Sequence, residues 1–352
     1  MNTKHFLTFS IFIFLLTLLI SCGSEDRFVI CKNSEYDCDY QHKIPGIITV
    51  TKGSSRIHYI LTPKGLKKAE IKEGEPIAYN PETGAAVIKE ATDSSIDIFT
   101  VDTENGKELS SEIPLKPEKS LNEKGKTFYA FPKLLSSCVQ NDGTIALLVQ
   151  YENLLSDSSR IISDPRHYSE ESATISVSLY LYEKGGTKKP KKYLFPNDEP
   201  SEGEVGDYFW EEPRYLQCSG KDIYLFSEKN HANEISLLYS SQPNWIMSKI
   251  NLNPQKDEAN ITDTALIAYD NVIFNYYSKR ENSVYTAAQA SEKDTAVLRI
   301  TDLNEGYELP EEPIEKENGE FLFSETTDGK PLIFFVKTRS HLEEQRIELL
   351  PL

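Results

Sequence analysis

The chain is short of positive charge. Against 55 Asp and Glu it sets 38 Lys and Arg, a formal net charge of −17 over 352 residues. So acidic a balance argues against nucleic acid and against direct adhesion to an anionic bilayer, because both reward a basic surface. Histidine is scarce too: His5, His42, His58, His167, His231 and His341 are the whole supply, and no two stand at a metal-binding spacing. Neither a G-x-S-x-G elbow nor a glycine-rich phosphate loop occurs, which leaves a serine or cysteine hydrolase without support. After Ile20 no apolar run reaches membrane-spanning length, and beyond residue 42 almost no apolar pattern has helical spacing.

What the chain does hold is a sizeable core written in strands. Hydrophobic residues make up 39% and aromatics 11%, which marks a folded chain rather than a disordered one. Ile47 to Thr51, Arg56 to Leu61, Ile96 to Val101, Thr144 to Gln150, Ser176 to Tyr182, Asp222 to Phe226, Val272 to Tyr277 and Pro331 to Val336 are short alternating runs rich in β-branched and aromatic residues. Ser340 to Leu350 reads either as a helix or as a hairpin arm.

A turn recurs ahead of these strands. Asn80 to Gly84, Asn141-Asp142-Gly143, Ser219 to Asp222, Asp270-Asn271 and Thr327-Asp328-Gly329 each precede an apolar strand. Gly, Asn and Asp suit such places because hairpin turns demand a positive φ. Successive turns lie about fifty to eighty residues apart, the length of one four-stranded unit plus a loop. The expectation is an all-β chain, a β-propeller of six blades near residues 43–75, 76–127, 128–206, 207–257, 258–316 and 317–352, closed by Phe28 to Ile30 as a strand of the last blade. Two β-sandwich domains would give a similar pattern of strands and turns.

Cysteine adds to this. Cys138 and Cys218 each stand four residues before a turn-strand junction, at Asp142 and Asp222, so in a propeller they occupy equivalent strands of adjacent blades, where a disulfide can form. Cys31 and Cys38 would close a small loop in an N-terminal segment, 22–42, that reads as a tether. C-x6-C with only His42 nearby is a poor zinc pattern.

The fifth cysteine has a different setting. Lys4 precedes an uninterrupted apolar run from Phe6 to Ile20, too short to span a bilayer as a helix, and the run closes on Leu19-Ile20-Ser21-Cys22. These four residues resemble the lipobox of bacterial lipoproteins. The resemblance implies a signal peptide over 1–21, a diacylglycerol on the Cys22 thiol and acylation of the new amino group. Gly23 stands where that family usually carries its inner-membrane retention Asp, which implies outer-membrane delivery, and Ser24-Glu25-Asp26 resembles the acidic patch of some surface-exported lipoproteins. Two or three acyl chains, at about 0.8 kcal/mol per buried CH₂, would anchor the chain essentially permanently.

Candidate contact residues lie in the densest acidic stretch. Asp198, Glu199, Glu202, Glu204 and Asp207 run straight into Tyr208, Phe209 and Trp210. Aromatics beside acids match the composition of interaction surfaces, and carboxylate oxygens suit Ca²⁺. Lys184 to Lys192 is the basic counterpart, a hairpin tip whose charge guards an edge. The functional expectation is a lipid-anchored envelope protein acting as a non-catalytic binding or scaffolding module for a protein or glycan partner, with no resident cofactor. The alternative is a carbohydrate-active hydrolase using paired carboxylates across the ring's central cavity.

Overall fold

In the computed structural model the described residues are 28–33, 38–91, 95–110, 112–116, 118–121, 127–155, 175–184, 190–195, 214–229, 244–267, 271–290, 295–304, 313–341 and 344–351. The elements among them are strands. After β1 (Phe28–Asn33), blade one is β2 (Cys38–Ile44), β3 (Ile47–Lys52), β4 (Ser55–Thr62) and β5 (Gly65–Lys68), and blade two is β6 (Glu75–Asn80), β7 (Ala85–Ala91), β8 (Ile96–Asp102) and β9 (Ile113–Leu115). Following β10 (Glu118–Leu121), blade three is β11 (Thr127–Val139), β12 (Ile145–Leu155), β13 (Ile175–Tyr182) and β14 (Lys191–Leu194). Blade four is β15 (Arg214–Ser219), β16 (Asp222–Lys229), β17 (Asn244–Asn253) and β18 (Glu258–Ile267). Blade five is β19 (Val272–Ser278), β20 (Ser283–Gln289), β21 (Thr295–Asp302) and β22 (Ile314–Glu317), and blade six is β23 (Gly319–Glu325), β24 (Pro331–His341) and β25 (Glu344–Pro351).

Each blade is an antiparallel meander, and β1 completes the sixth by pairing with β25, Phe28 opposite Leu349 and Asn33 opposite Gln345. The chain is a β-propeller whose first strand closes the last blade. Within Ser340 to Leu350, expected as a helix or a hairpin arm, the described residues are strand: the end of β24 and most of β25, paired antiparallel. The segment read as a tether contributes β1 and most of β2, and residues 258–267 are the outer strand of blade four rather than the start of blade five, because Asn253 and Glu258 flank a tight turn that holds β17 and β18 together. Blades three and four merge into one nine-stranded sheet through a single parallel bridge, Leu194 to Glu258, with the Leu194 amide donating to the Asp257 carbonyl at 2.9 Å.

The core lies between blades, as the meander demands. Alternate residues of a central strand such as β7 or β12 face opposite neighbours, so Ala85 to Ile88 and Ile145 to Val149 are buried on both sides. Val87, Ile98, Val139, Leu147 and Tyr180 share one cluster between blades two and three, while Leu148, Leu179, Leu225 and Ile250 share the next.

The recurring turn of the sequence joins the first and second strands of four blades. Gly84, Gly143, Gly220 and Gly329 take φ of 66°, 84°, 64° and 76° there. Blade five departs from the expectation: Asn271 (φ 52°) lies before β19, and the corresponding turn uses Asn282 at φ 50°. Either residue serves because Asn tolerates the left-handed region almost as Gly does. In blade one the turn is Pro45-Gly46, with Gly46 at φ 85°, and it also seals the ring: the Gly46 amide donates to the Phe323 carbonyl of blade six at 2.8 Å. A Cβ on Gly46 would stand 2.6 Å from the Tyr79 ring.

We therefore expect Gly46→Ala to lower unfolding free energy by about 2–3 kcal/mol, strain and overlap acting together, against about 1 kcal/mol for Gly53→Ala, whose added methyl meets nothing. Urea denaturation of the two variants checks this, and equal losses would refute the sealing role.

Candidate functional site

The inner strands β2, β6, β11, β15, β19 and β23 stand around the axis, each with one edge largely without a strand beside it, although β10 covers that edge of β11 over Thr127 to Ala130. Backbone donors and acceptors on such an edge need partners, and here side chains of the next blade supply them. The Gln217 amide group spans both polar atoms of Tyr277, its Nε2 donating to the carbonyl at 2.6 Å and its Oε1 accepting from the amide at 2.9 Å. Tyr215 does the same one step earlier, its hydroxyl donating to the Asn275 carbonyl at 2.7 Å and accepting from the Asn275 amide at 2.6 Å. Ser137 donates to the Ile77 carbonyl at 2.9 Å, Asn80 to the Val139 carbonyl at 3.1 Å and Gln140 to the Lys221 carbonyl at 2.7 Å. The Leu216 amide donates to the Ser136 hydroxyl, and Ser324 donates to the Leu61 carbonyl to join blade six to blade one. Between blades three and four this girdle is reinforced by the disulfide Cys138–Cys218, with Cα atoms 5.4 Å apart, as the sequence led us to expect.

Inside the girdle is an axial cavity of about 80 Å³, room for roughly six waters at 10–15 Å³ each. All six blades reach it, through Lys43, Tyr79, Ser137, Tyr215, Tyr276 and Glu325 among others. Glu325 is the carboxylate among its described lining residues. Burial raises its pKa, and the charge of Glu82 adds to the rise against the hydrogen bond from Tyr276. Tyr276 donates to Glu325 Oε2 at 2.6 Å, and burial, then Glu325 itself, holds the phenol well above its usual range. A second phenol–carboxylate pair, Tyr285 with Glu281, lies beside it, the two tyrosine rings 6.3 Å apart.

A row of aromatic rings borders the cavity. Tyr215 stacks on Phe226 at 5.0 Å and on Phe274 at 4.7 Å, and Phe323 stacks on Tyr276 at 5.9 Å. His42 meets Phe274 edge-on at 6.1 Å. It sits where β2 carries two residues, His42 and Lys43, against one of β3, and that bulge turns the imidazole inward. Its Nε2 is buried with no hydrogen-bond partner among the described residues, and desolvation presses its pKa to about 4 against a hydrogen bond to the Phe323 backbone.

The loops divide unequally between the two faces. In a meander the second-to-third turn and the link to the next blade lie at the end where the inner strand begins. Segments 156–174, 196–213 and 230–243 therefore all leave from that end of blades three and four, whereas the tight glycine turns mark the other. The contact residues expected at Asp198, Glu199, Glu202, Glu204, Asp207, Tyr208, Phe209 and Trp210 fall outside the described residues, as does Cys22. Cys31 and Cys38 lie on β1 and β2, strands of two different blades, and their side chains are outside those described. Sequence reasoning missed Glu325, Tyr276 and His42; a lone carboxylate or imidazole in a strand carries no motif, and only ring closure brings these three elements together.

No family model and no curated protein matches this chain. Solved structures resemble it at very low identity. One described as the eukaryotic initiation factor covers 90% of this chain and 88% of its own at a TM-score of 0.34 and 8% identity. The WD40 domain of Toxoplasma gondii coronin covers 92% and 85% at 0.33 and 6%. The plexin A4 extracellular region covers 89% of this chain and 34% of its own at 0.33 and 8%. Likeness at this level carries no functional argument.

Glu325 makes a pH prediction with a definite sign. A carboxyl whose folded pKa is raised contributes stability that is full below the unfolded pKa, near 4.5, and is lost as pH rises through the folded value. Glu325→Gln keeps an acceptor for Tyr276 and removes the charge. The variant should be more stable than the parent at pH 7, and the difference should vanish below pH about 4. Denaturation of both proteins at the two pH values checks this, and a variant less stable at pH 7 would refute it.

Proposed function

We propose that this chain is a lipid-anchored cell-envelope protein whose propeller acts as a non-catalytic binding or scaffolding platform. The observation that carries the reading is the narrow axis. A cavity of about 80 Å³, girdled by hydrogen bonds and a disulfide, is well below the 300–1,000 Å³ of ordinary small-molecule pockets, so recognition falls to a face of the ring. Blades three and four present one such face, since their three longest segments leave at the same end. The acidic and aromatic residues from Asp198 to Trp210 belong to the middle segment, and they suit a protein or glycan partner, with Ca²⁺ as the cation their oxygens would take.

Anchoring supports a platform role. Cys22 is six residue steps from Phe28, with five residues between them, a reach of about 20 Å at 3.3–3.6 Å per step, so the lipid would hold the ring close to a bilayer by the outer strand of its last blade. Gly23 and the acidic residues after it favour the outer membrane and display at the cell surface.

A hydrolase remains the second reading because of one observation: Glu325, a carboxyl inclined to hold its proton, feels the charge of Glu82 across the ring's mouth. Turnover of an acidic or neutral glycan that is abolished in Glu325→Gln would favour it over the platform.

Three experiments test the platform. Cys22→Ala should abolish incorporation of labelled palmitate and leave the protein unprocessed; a processed, membrane-bound variant would rule out the anchor. Added protease should digest the chain on intact cells while sparing a periplasmic control, and replacing 198–207 by a short Gly-Ser linker should change stability by less than about 0.5 kcal/mol. Protection from the protease would place the platform inside the envelope instead.

A further inference from the structure

A second cavity lies between the first two blades, at about 170 Å³ roughly twice the volume of the axial one. Its walls are Gln41, Lys43, Thr49, Arg56 and His58 from blade one and Glu75 from the start of β6. The lone carboxylate is already engaged. Glu75 Oε1 accepts from Lys43 at 2.7 Å and Oε2 from Lys89 at 2.9 Å. Burial pushes Glu75 up, but the hydrogen bonds from these two lysines outweigh it and hold the carboxyl below its usual value. Lys43 and Arg56 against one carboxylate, itself also paired with Lys89 behind the wall, leave the cavity locally positive in a chain of net charge −17.

The donors that remain are arranged for an anion. Arg56 is exposed at the cavity's edge and forms no ion pair among the described residues. His58 is buried, and its Nδ1 lies 3.0 Å from the Thr49 hydroxyl. When Thr49 donates to Nδ1, the ring proton sits on Nε2, which has no partner among the described residues. Burial and then the Arg56 charge hold His58 below its usual pKa, so at neutral pH the ring is an uncharged donor rather than a second cation. A guanidinium fork, an imidazole N–H and an ammonium around one polar space match the equatorial oxygens of a tetrahedral oxyanion.

We propose that this cavity binds a compact oxyanion, phosphate or sulfate, through Arg56, His58 Nε2 and Lys43. The ion enters past Arg56, so an esterified phosphate or sulfate can sit in the cavity with its carrier left outside. This site is independent of the platform reading: it uses none of the segments at the other blades and no lipid.

The test uses the full-length chain titrated with sodium phosphate, with sodium sulfate and with glucose 6-phosphate, at ionic strength held constant with chloride. His58 ring resonances and titration calorimetry are the readouts. Saturable movement of the His58 signals with the inorganic ions alone supports a site for the free ion; saturation with the sugar phosphate as well supports a terminal group on a larger molecule. Arg56→Gln, at an exposed position, should keep the unfolding midpoint and weaken binding about tenfold or more, the loss of one charge-assisted contact. No saturable shift at His58, or undiminished binding by Arg56→Gln, overturns the proposal.

Discussion

An inner strand of a propeller blade has one edge with no strand to pair with, and the whole ring depends on how those six edges are satisfied. Backbone bonds cross between blades at only a few places, such as Gly46 to Phe323 and Leu194 to Asp257, and buried peptide groups left without partners would each cost about 1–3 kcal/mol. This protein answers with side chains. Gln217 occupies both polar atoms of Tyr277 as a strand would, Tyr215 does so for Asn275, and Ser137, Asn80 and Gln140 each take one carbonyl. Polar residues are thereby drawn to positions around the axis where a sandwich would place only apolar ones, and the remaining space is too small for a large ligand.

That economy shapes the electrostatics of the centre. Glu325 and His42 are both held in the ring near the axis, and both are pushed toward their neutral forms, the carboxyl upward and the imidazole downward. Among the described residues no opposite charge offsets either shift. Lys43, which lines the axial cavity, pairs outward with Glu75, where it and Lys89 share a single carboxylate. Charge in this acidic chain is thus sorted by position: neutralised at the centre, positive in one cleft between blades.

Much of the architecture was legible in the sequence because a propeller repeats what a local pattern can show. Alternating strands marked the meanders, and Gly84, Gly143, Gly220 and Gly329 marked four of the inner hairpins through their need for positive φ. Equivalence of those turns also placed Cys138 beside Cys218. The pattern points to Asn271 for the fifth turn where the structure uses Asn282, because two asparagines eleven residues apart serve the same backbone conformation and nothing local separates them. Residues 258–267 were assigned to the wrong blade for a related reason: an outer strand looks like an inner one until its pairing is known. The axial residues Glu325, Tyr276 and His42 were illegible altogether, since their proximity depends on closing a ring through strands nearly three hundred residues apart.

Blades three and four are held by covalent and hydrogen-bonded ties at two radii, Cys138–Cys218 at the axis and the Leu194–Asp257 contact at the rim. A ring of six wedges has six seams at which it can breathe, but one fastened at both ends of its wedge boundary does not open on the same timescale as the rest. The molecule should move as five bodies, one of double width, with its slow fluctuations concentrated at the seams that carry no covalent tie. The double wedge is also the one from which the three longest segments depart, so whatever those segments meet is met from the stillest part of the ring.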